Sequence, residues 1–276
     1  MSITITNTVI TAVPKRPVRL KGIALPNEHG SWGFLFEPLV ASFAVAFSPG
    51  AIWISLLVIG AFLTRQPLKV LLNDWIAKRN LPQTAAALKF TLLFGAVFLI
   101  GLLGCCFLVE PKSFYPFLFI VPLAIYQIYC DASKQTRQLI PELTGAIAIS
   151  SSAAVIALAG GWNLLNAYIL WAIFAARLIP SILYVRSRLR LEKGKDFLLV
   201  PVIAAHFIAV GAVGMFAGNG LASKLTFGMF VILLIRAFWG LSPFRKKVKA
   251  MRIGVWEVIY GTLTALSVII GYYLGI

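Results

Sequence analysis

The sequence predicts an all-α, polytopic membrane protein with about nine transmembrane helices and a cytoplasmic N-terminus. Hydrophobic residues make up 60% of the chain and charged residues 12%, whereas soluble domains contain about 45–50% apolar and about 25% charged residues. The apolar runs are long and unbroken, which is typical of membrane helices and not of the alternating strands of a membrane barrel. The basic residues are also shared unequally between alternate loops.

Each apolar run is long enough to be one membrane-crossing helix, and short polar or glycine-containing segments separate the runs. The predicted helices cover residues 32–48, 50–72, 88–109, 114–130, 142–160, 163–186, 197–217, 223–241 and 253–275. Ser48-Pro49-Gly50 and Gly218-Asn219-Gly220 are examples of the turns between them. We therefore divide the chain into a cytoplasmic N-terminal tail, residues 1–31, and a single transmembrane helical domain, residues 32–276.

The loop charges predict the orientation of these helices. If the N-terminus is inside, all but two of the 25 basic residues, Lys112 and Lys224, fall toward the cytoplasm, as the positive-inside rule requires. Glu110 is the one acidic residue that does not. Recognition and chemistry are therefore expected on the cytoplasmic side. Topology and anionic lipid explain the net charge of +16, so we expect membrane lipid, and no nucleic acid, as a partner.

Three arginines lie at a similar depth inside even-numbered helices. Arg65, Arg177 and Arg236 each follow the predicted outer end of their helix by 12 to 14 residues. At 1.5 Å per residue this places each one roughly 18–21 Å into a core about 30 Å thick. Charged residues at such depths usually face the bundle interior or a wet cavity.

Two compatible interpretations of these arginines remain open. In the structural one, they reach the interface or pair with carboxylates at the same depth, for which Glu37, Glu142 and Glu257 are the candidates. In the functional one, they form a basic, cytoplasm-facing cavity that holds an anion, since a paired arginine can still donate to a phosphate. The candidate anion-binding residues are Arg65, Lys69, Arg177, Arg186 and Arg236. The sequence identifies no catalytic residue.

The remaining reactive residues do not form a recognisable site. His206 has no second ligand nearby in sequence, and His29 with Glu28 reads more readily as an interfacial cap than as an acid–base pair. Cys105, Cys106 and Cys130 indicate neither a disulfide framework nor a redox motif. We therefore expect no metal site and no cofactor.

Four segments resemble the bacterial YwiC-like membrane protein family. They read "LPNEHGSW", "TRQPLKV", "RQLIPELTGAIAIS" and "ARLIPSILYVRSRLR", and the resemblance covers most of residues 22–260. It implies a multi-pass protein of the bacterial cytoplasmic membrane, and it adds no particular activity.

A remoter resemblance is to the UbiA prenyltransferase superfamily, which has nine helices, a cytoplasmic N-terminus and acidic motifs after helices 2 and 6. It implies a UbiA-like bundle with a site at those helix ends. Arg65, Lys69 and Asn73 repeat the spacing of the first motif with different charges, and Glu192-x-x-x-Asp196 has the spacing of the second. Arginine and lysine cannot ligate Mg²⁺, but they can contact a phosphate directly.

The sequence therefore favours a site for an anionic ligand, phosphorylated and of a prenyl or lipid type, in a divergent UbiA-like transferase that lacks the Mg²⁺-binding acids. A small-anion or lipid transporter and a non-catalytic membrane assembly factor are the alternatives. Catalytic turnover and the oligomeric state are left open by the sequence.

Overall fold

The computed structural model describes residues 20–26, 29–79, 81–133 and 138–276, and every regular element in these ranges is helical. The α-helices are α1 (Leu20–Ala24), α2 (His29–Val45), α3 (Pro49–Ile76), α4 (Pro82–Leu108), α5 (Tyr115–Ala132), α6 (Leu139–Ser150), α7 (Ser152–Ala159), α8 (Leu164–Glu192), α9 (Leu199–Gly218), α10 (Lys224–Leu241) and α11 (Ala250–Leu274). A 3₁₀ helix, Pro111–Phe114, precedes α5. The all-α fold class is confirmed.

Helices of the described ranges that could span a membrane coincide with eight of the nine predicted crossings. Eight helical segments are long and apolar enough to span a membrane, and one of these, Leu139–Ala159, combines α6 and α7. Gly30–Val45, within α2, is a shorter apolar helix at the position of the first predicted run. Many large apolar side chains on the bundle surface are exposed, such as Leu92, Phe107 and Ile208. The chain is thus a multi-pass membrane protein in contact with lipid.

The helices alternate in direction. The first turns of α2, α6 and α11 and the C-terminal halves of α3 and α8 surround one cavity. The opposite ends of α2, α8 and α11, together with the α9–α10 connection, surround a second cavity. Helix ends of one kind are therefore collected at each end of the bundle, as expected of a chain that crosses a membrane repeatedly. The side that faces the cytoplasm remains a prediction based on the loop charges.

Several helices extend beyond the predicted apolar runs. α4 begins at Pro82, before the run at 88–109, and α8 continues to Glu192, past the run at 163–186. Hydropathy marks the apolar core of the membrane, whereas the helical backbone continues into the interface as long as its hydrogen bonds are satisfied. Arg188 and Arg190 therefore lie on a helix and not in a loop.

The predicted helix at 142–160 is interrupted in its middle. The hydroxyls of Ser150, Ser151 and Ser152 each donate to the carbonyl three residues earlier, at 2.9, 2.7 and 2.7 Å. Such side-chain bonds compete with the backbone ladder. Two helices, α6 and α7, result.

Glycines bring α3 and α4 together. A β-carbon added at Gly60 would overlap the backbone of Phe98, and one added at Gly101 would overlap the backbone of Leu57. Small residues allow this close approach, which is a common basis of helix association in membranes. The two helices form a rigid hairpin at one side of the bundle.

The predicted N-terminal tail is only partly described. Helix α1 packs against α3 and α4, and the side chain of Gln66 donates to the Gly22 carbonyl at 3.0 Å. Residues 1–19, 27–28, 80 and 134–137 lie outside the described ranges, and so do the predicted roles of Lys15, Arg16, Arg19, Glu28, Lys134 and Arg137. The domain boundary at residue 31 remains a prediction.

Candidate functional site

A cavity of about 530 Å³, here called the interhelical cavity, lies among α2, α3, α6, α8 and α11. Its charged lining residues are Arg65, Glu142, Arg186, Arg190 and Glu257. Its apolar lining includes Phe34, Phe62, Ile149, Ile182, Val185, Leu189 and Met251. Ligand sites in proteins commonly have volumes of about 300–1,000 Å³ and combine an apolar wall with a few polar groups. The interhelical cavity has both properties.

Arg65 enters this cavity from α3 and is held by a carboxylate on α5. Its Nε and Nη2 atoms donate to Asp131 at 2.7 and 3.0 Å, a two-point geometry that is strong and directional. The Asp131 side chain is 5% exposed and that of Arg65 is 41% exposed. Gln127 and Asn73 also donate to Asp131, at 3.2 Å each. The pair fixes the guanidinium while leaving much of its surface accessible.

Arg186 and Arg190 enter from α8. Arg186 pairs with Glu142 of α6 at 2.8 Å, and the two side chains are 36% and 30% exposed. Arg190 donates through Nε to the backbone carbonyl of Asp196 at 2.6 Å. The cavity therefore presents three guanidinium groups whose positions are set by neighbouring acceptors.

A second charged group, here called the buried arginine cluster, lies behind the cavity. It consists of Glu37, Arg177, Arg236 and Glu257, from α2, α8, α10 and α11. Arg177 Nε is 3.0 Å from Glu37 Oε2, and Arg177 Nη1 is 3.3 Å from Glu257 Oε2. Arg236 Nη1 is 2.8 Å from Glu257 Oε1. Two acids and two bases balance formally, so the cluster joins four helices without a net charge.

Neighbouring groups stabilise the two buried guanidinium groups of the cluster. Arg177 has no exposed surface, and its Nη2 also donates to the Glu257 backbone carbonyl at 3.0 Å. Arg236 lies over the rings of Tyr184 and Tyr260, at 4.2 and 4.7 Å from their centres. Such cation–π contacts favour a desolvated guanidinium.

Glycine makes room for Glu37 between α2 and α11. A β-carbon added at Gly261 would overlap the Glu37 carboxylate. The absence of a side chain on this face of α11 therefore allows the carboxylate to reach Arg177. This packing requirement explains why position 261 is a glycine, which the hydropathy pattern alone does not explain.

The structure divides the sequence-predicted residues into two neighbouring groups. Arg65, Arg186 and Glu142 line the interhelical cavity, whereas Arg177, Arg236 and Glu37 lie in the buried arginine cluster. Glu257 belongs to both. Lys69 is one helical turn beyond Arg65 on α3 and is not part of the cavity lining.

Sequence reasoning missed several participants. Asp131 is not among the predicted site residues, although α5 ends on the same side as α3, and this shared end is a signal that could link it to Arg65. Tyr184 and Tyr260 are ordinary aromatic residues in apolar runs, so no sequence signal distinguishes them. Arg190 lies beyond the apolar run at 163–186, so the sequence gives it no predicted place in the bundle.

Asp74, which follows Asn73, and Glu192 both have structural partners. Asp74 is buried and accepts from Thr84 Oγ1 at 2.7 Å and from Gln83 Nε2 at 3.1 Å. Glu192 lies 2.8 Å from Arg188 Nη2. Among the described residues no group of three or more His, Cys, Asp or Glu side chains could hold a metal ion. The three cysteines are free thiols, and His206 Nδ1 is 2.8 Å from the Val202 carbonyl.

Residues 25–157 match the protein family described as YwiC-like protein. The YwiC-like resemblance expected from the sequence is thereby confirmed for that segment, which includes Glu37, Arg65 and Glu142 but ends before α8. No curated protein and no solved structure matches the chain. The likeness to the UbiA superfamily remains a prediction.

Proposed function

We propose that this multi-pass membrane protein, YwiC-like over residues 25–157, holds an anionic amphiphile in the interhelical cavity. The observation that carries the proposal is the pairing of guanidinium groups with an apolar wall in one cavity of about 530 Å³. A phosphorylated head group would contact Arg65, Arg186 and Arg190, and a prenyl or acyl chain would lie against residues such as Ile149, Ile182 and Leu189. The anionic head group of such a ligand complements the basic residues of the cavity, and its apolar chain complements the apolar wall.

The ion pairs at the cavity are compatible with phosphate binding. A guanidinium carries five N–H donors, and the bonds to Asp131 use those of Nε and Nη2 of Arg65. Nη1 lies outside that pair and could donate to a phosphate oxygen. The existing pair would also orient the group before the ligand binds, which lowers the entropy cost of binding.

The buried arginine cluster lies next to this site but is not expected to bind the anion itself. Its formal charges balance and its groups are almost completely buried, so it offers little attraction to an anion in the middle of the bundle. The exposed guanidinium surface lies instead at the cavity, where Arg65 is 41% exposed. An anionic head group is therefore expected near the cytoplasmic end, with its chain directed into the bundle.

We extend the proposal to a divergent UbiA-like transferase. Arg65 comes from α3 and Arg186 from α8, the second and sixth crossings, whose ends carry the site in that superfamily's pattern. Direct contact between guanidinium and phosphate would replace binding through Mg²⁺. We also place the protein in the bacterial plasma membrane with its N-terminus in the cytoplasm, which the distribution of basic residues supports.

Equilibrium binding of farnesyl diphosphate to purified protein tests the proposal, with farnesol as the uncharged control. We expect farnesyl diphosphate to bind in EDTA and farnesol to bind much more weakly. Arg65→Gln and Arg186→Gln should each weaken binding by about 10- to 100-fold, because each removes a charge-assisted hydrogen bond.

Lys193→Gln is the matched control, because it removes an exposed cytoplasmic charge outside the cavity. Wild-type affinity in both arginine variants, with their folding verified by thermal unfolding, would show that the cavity does not hold the ligand. Loss of wild-type binding in EDTA would replace direct contact with a metal-dependent site.

A further inference from the structure

A second amphipathic depression lies outside the interhelical cavity, where α3 ends and α4 begins. It has a volume of about 570 Å³ and is lined by Leu71, Leu72, Trp75, Lys78, Arg79 and Thr84. We call it the Trp75 groove. Three residues form an apolar wall along the last turns of α3, and two basic residues form one end. One surface therefore has an apolar part that is directly followed by a cationic part.

The turn that carries the basic residues is held in place by Asp74. This buried carboxylate accepts from Thr84 Oγ1 at 2.7 Å, and the Arg79 backbone N–H donates to the Asp74 carbonyl at 2.9 Å. The charge of Asp74 is therefore directed into the turn. In the described part of the chain, neither Lys78 nor Arg79 forms an ion pair, and both are exposed.

Lys78 has an unusual backbone conformation. Its φ of 50° lies in the left-handed region, and within the described ranges it is the one residue other than glycine with a positive φ. Glycine is the residue that normally occupies such positions, because other side chains are strained there. Lys78 directly follows the C-cap of α3, a position at which a left-handed residue commonly ends a helix, so its backbone is fixed by the end of α3.

Trp75 supports a location at the membrane interface. It lies in the last turn of α3, and its side chain is 76% exposed. Tryptophan is enriched at the head-group level of membranes, where its ring meets both apolar and polar surroundings. The neighbouring Ile76 is 62% exposed, so this end of α3 presents an apolar surface beside two cations.

From the groove, its fixed basic turn and its exposed tryptophan we infer that the Trp75 groove binds an anionic phospholipid. The lipid phosphate contacts Lys78 and Arg79, and one acyl chain lies against Leu71, Leu72 and Trp75. Charge complementarity selects an anionic head group, since no acid neutralises this pair among the described residues. This site is separate from the interhelical cavity and does not depend on the function proposed for it.

Native mass spectrometry of the purified protein, titrated with phosphatidylglycerol, tests the inference. The double variant Lys78→Gln/Arg79→Gln should bind one phosphatidylglycerol about 25-fold more weakly, at about 5-fold for each basic residue near the head group. The matched control is Lys193→Gln/Lys195→Gln, which removes two exposed basic residues from a loop outside the groove. It should bind as wild type does. Phosphatidylcholine should bind equally to all three proteins.

Two further variants separate binding from folding. Lys78→Gly relieves the left-handed strain, so it should keep or raise Tm while weakening phosphatidylglycerol binding about 5-fold. Trp75→Ala keeps both charges and should also weaken binding, because it removes the apolar wall. Unchanged affinity in Lys78→Gly and in the double variant would overturn the inference.

Two other results would also overturn it. If water-soluble glycerol phosphate displaced the lipid at equal concentration, the groove would be a free-phosphate site. An equal loss of affinity in the Lys193→Gln/Lys195→Gln control would show that the attraction is a property of the whole basic surface.

Discussion

Arg177 illustrates how a charge is accommodated in the middle of this bundle. An unpaired arginine at the centre of a membrane helix costs at least about 2.5–3.5 kcal/mol on insertion scales. Here the guanidinium has no exposed surface and contacts Glu37 at 3.0 Å and Glu257 at 3.3 Å. Glu257 also forms an ion pair with Arg236, whereas Arg177 is the one ion-pair partner of Glu37 in the described ranges. Loss of Arg177 would therefore affect Glu37 most.

We predict that Arg177→Ala destabilises the protein by about 3–5 kcal/mol, because it leaves a buried carboxylate without its partner. The double variant Arg177→Ala/Glu37→Gln should recover much of this loss, since the neutral amide costs less to bury. Thermal unfolding in detergent without ligand, analysed as a double-mutant cycle, measures the coupling.

Glu110 and Lys112 provide a matched control pair. They are 66% and 69% exposed, so solvent screening should leave no resolvable coupling between them. Additive effects of Arg177→Ala and Glu37→Gln, indistinguishable from those of the exposed pair, would contradict the role assigned to the buried arginine cluster.

The sequence could predict the depth of the charged residues but not their partners. Counting 1.5 Å per residue along a helix gives a depth, whereas the direction of a side chain around the bundle depends on how the helices pack. Arg65 and Asp131 are 66 positions apart, and nothing local relates them. Arg177 and Arg65 therefore looked equivalent in the sequence, although one is completely buried and the other lines a cavity.

At the scale of elements, the junction between α6 and α7 is the most unusual feature. The serine side chains there use backbone carbonyls that an uninterrupted helix would bond itself. Trp171 of α8 adds a further donor at this junction, because its indole N–H lies 3.2 Å from the Ile147 carbonyl and 3.1 Å from Ser150 Oγ. Irregular backbone inside a membrane is tolerated where neighbouring protein groups satisfy it.

We predict that Trp171→Phe destabilises the protein by about 0.5–1.5 kcal/mol, because it removes one hydrogen bond at the junction while retaining an aromatic ring. Trp162→Phe is the control, since Trp162 stacks on Tyr272 with ring centres 5.4 Å apart and a phenyl ring can keep such stacking. Thermal unfolding of both variants gives the comparison. An equal effect of the two substitutions would show that the indole hydrogen bond does not stabilise the junction.

The helices themselves were largely predictable, and the α6–α7 junction was not. Apolar runs bounded by segments such as Ser48-Pro49-Gly50 identify each crossing, and Ser48 does cap α3 by accepting from the Ala51 N–H at 3.2 Å. Three consecutive serines, by contrast, are compatible with a continuous membrane helix. Their effect depends on the rotamers they adopt and on Trp171, which is distant in sequence.

The whole molecule separates its charges by side and by depth. One end of the bundle carries the interhelical cavity with its arginines, and the other end carries a cavity whose basic residue is Lys224. The buried arginine cluster joins α2, α8, α10 and α11 between them. This arrangement gives each end a distinct chemistry, and the loop charges predict which end is cytoplasmic.

We predict that single cysteines at Lys193 and Lys247, placed in a cysteine-free background, react with a membrane-impermeant maleimide only from the cytoplasmic side. A cysteine at Asn219 should react only from outside. All three positions are exposed, so access should depend on sidedness alone. Labelling of the Asn219 position from the cytoplasm would contradict the orientation inferred from the positive-inside rule.

The central claim is that an anionic amphiphile occupies the interhelical cavity with its head group on arginines. The most direct measurement is an experimental high-resolution structure of the protein purified with farnesyl diphosphate in the presence of EDTA. We predict density for a phosphate within hydrogen-bonding distance of Arg65 and Arg186, and for a chain along Ile149 and Ile182. An empty cavity with the ligand bound elsewhere, or with its head group against the lipid-facing surface, would contradict it.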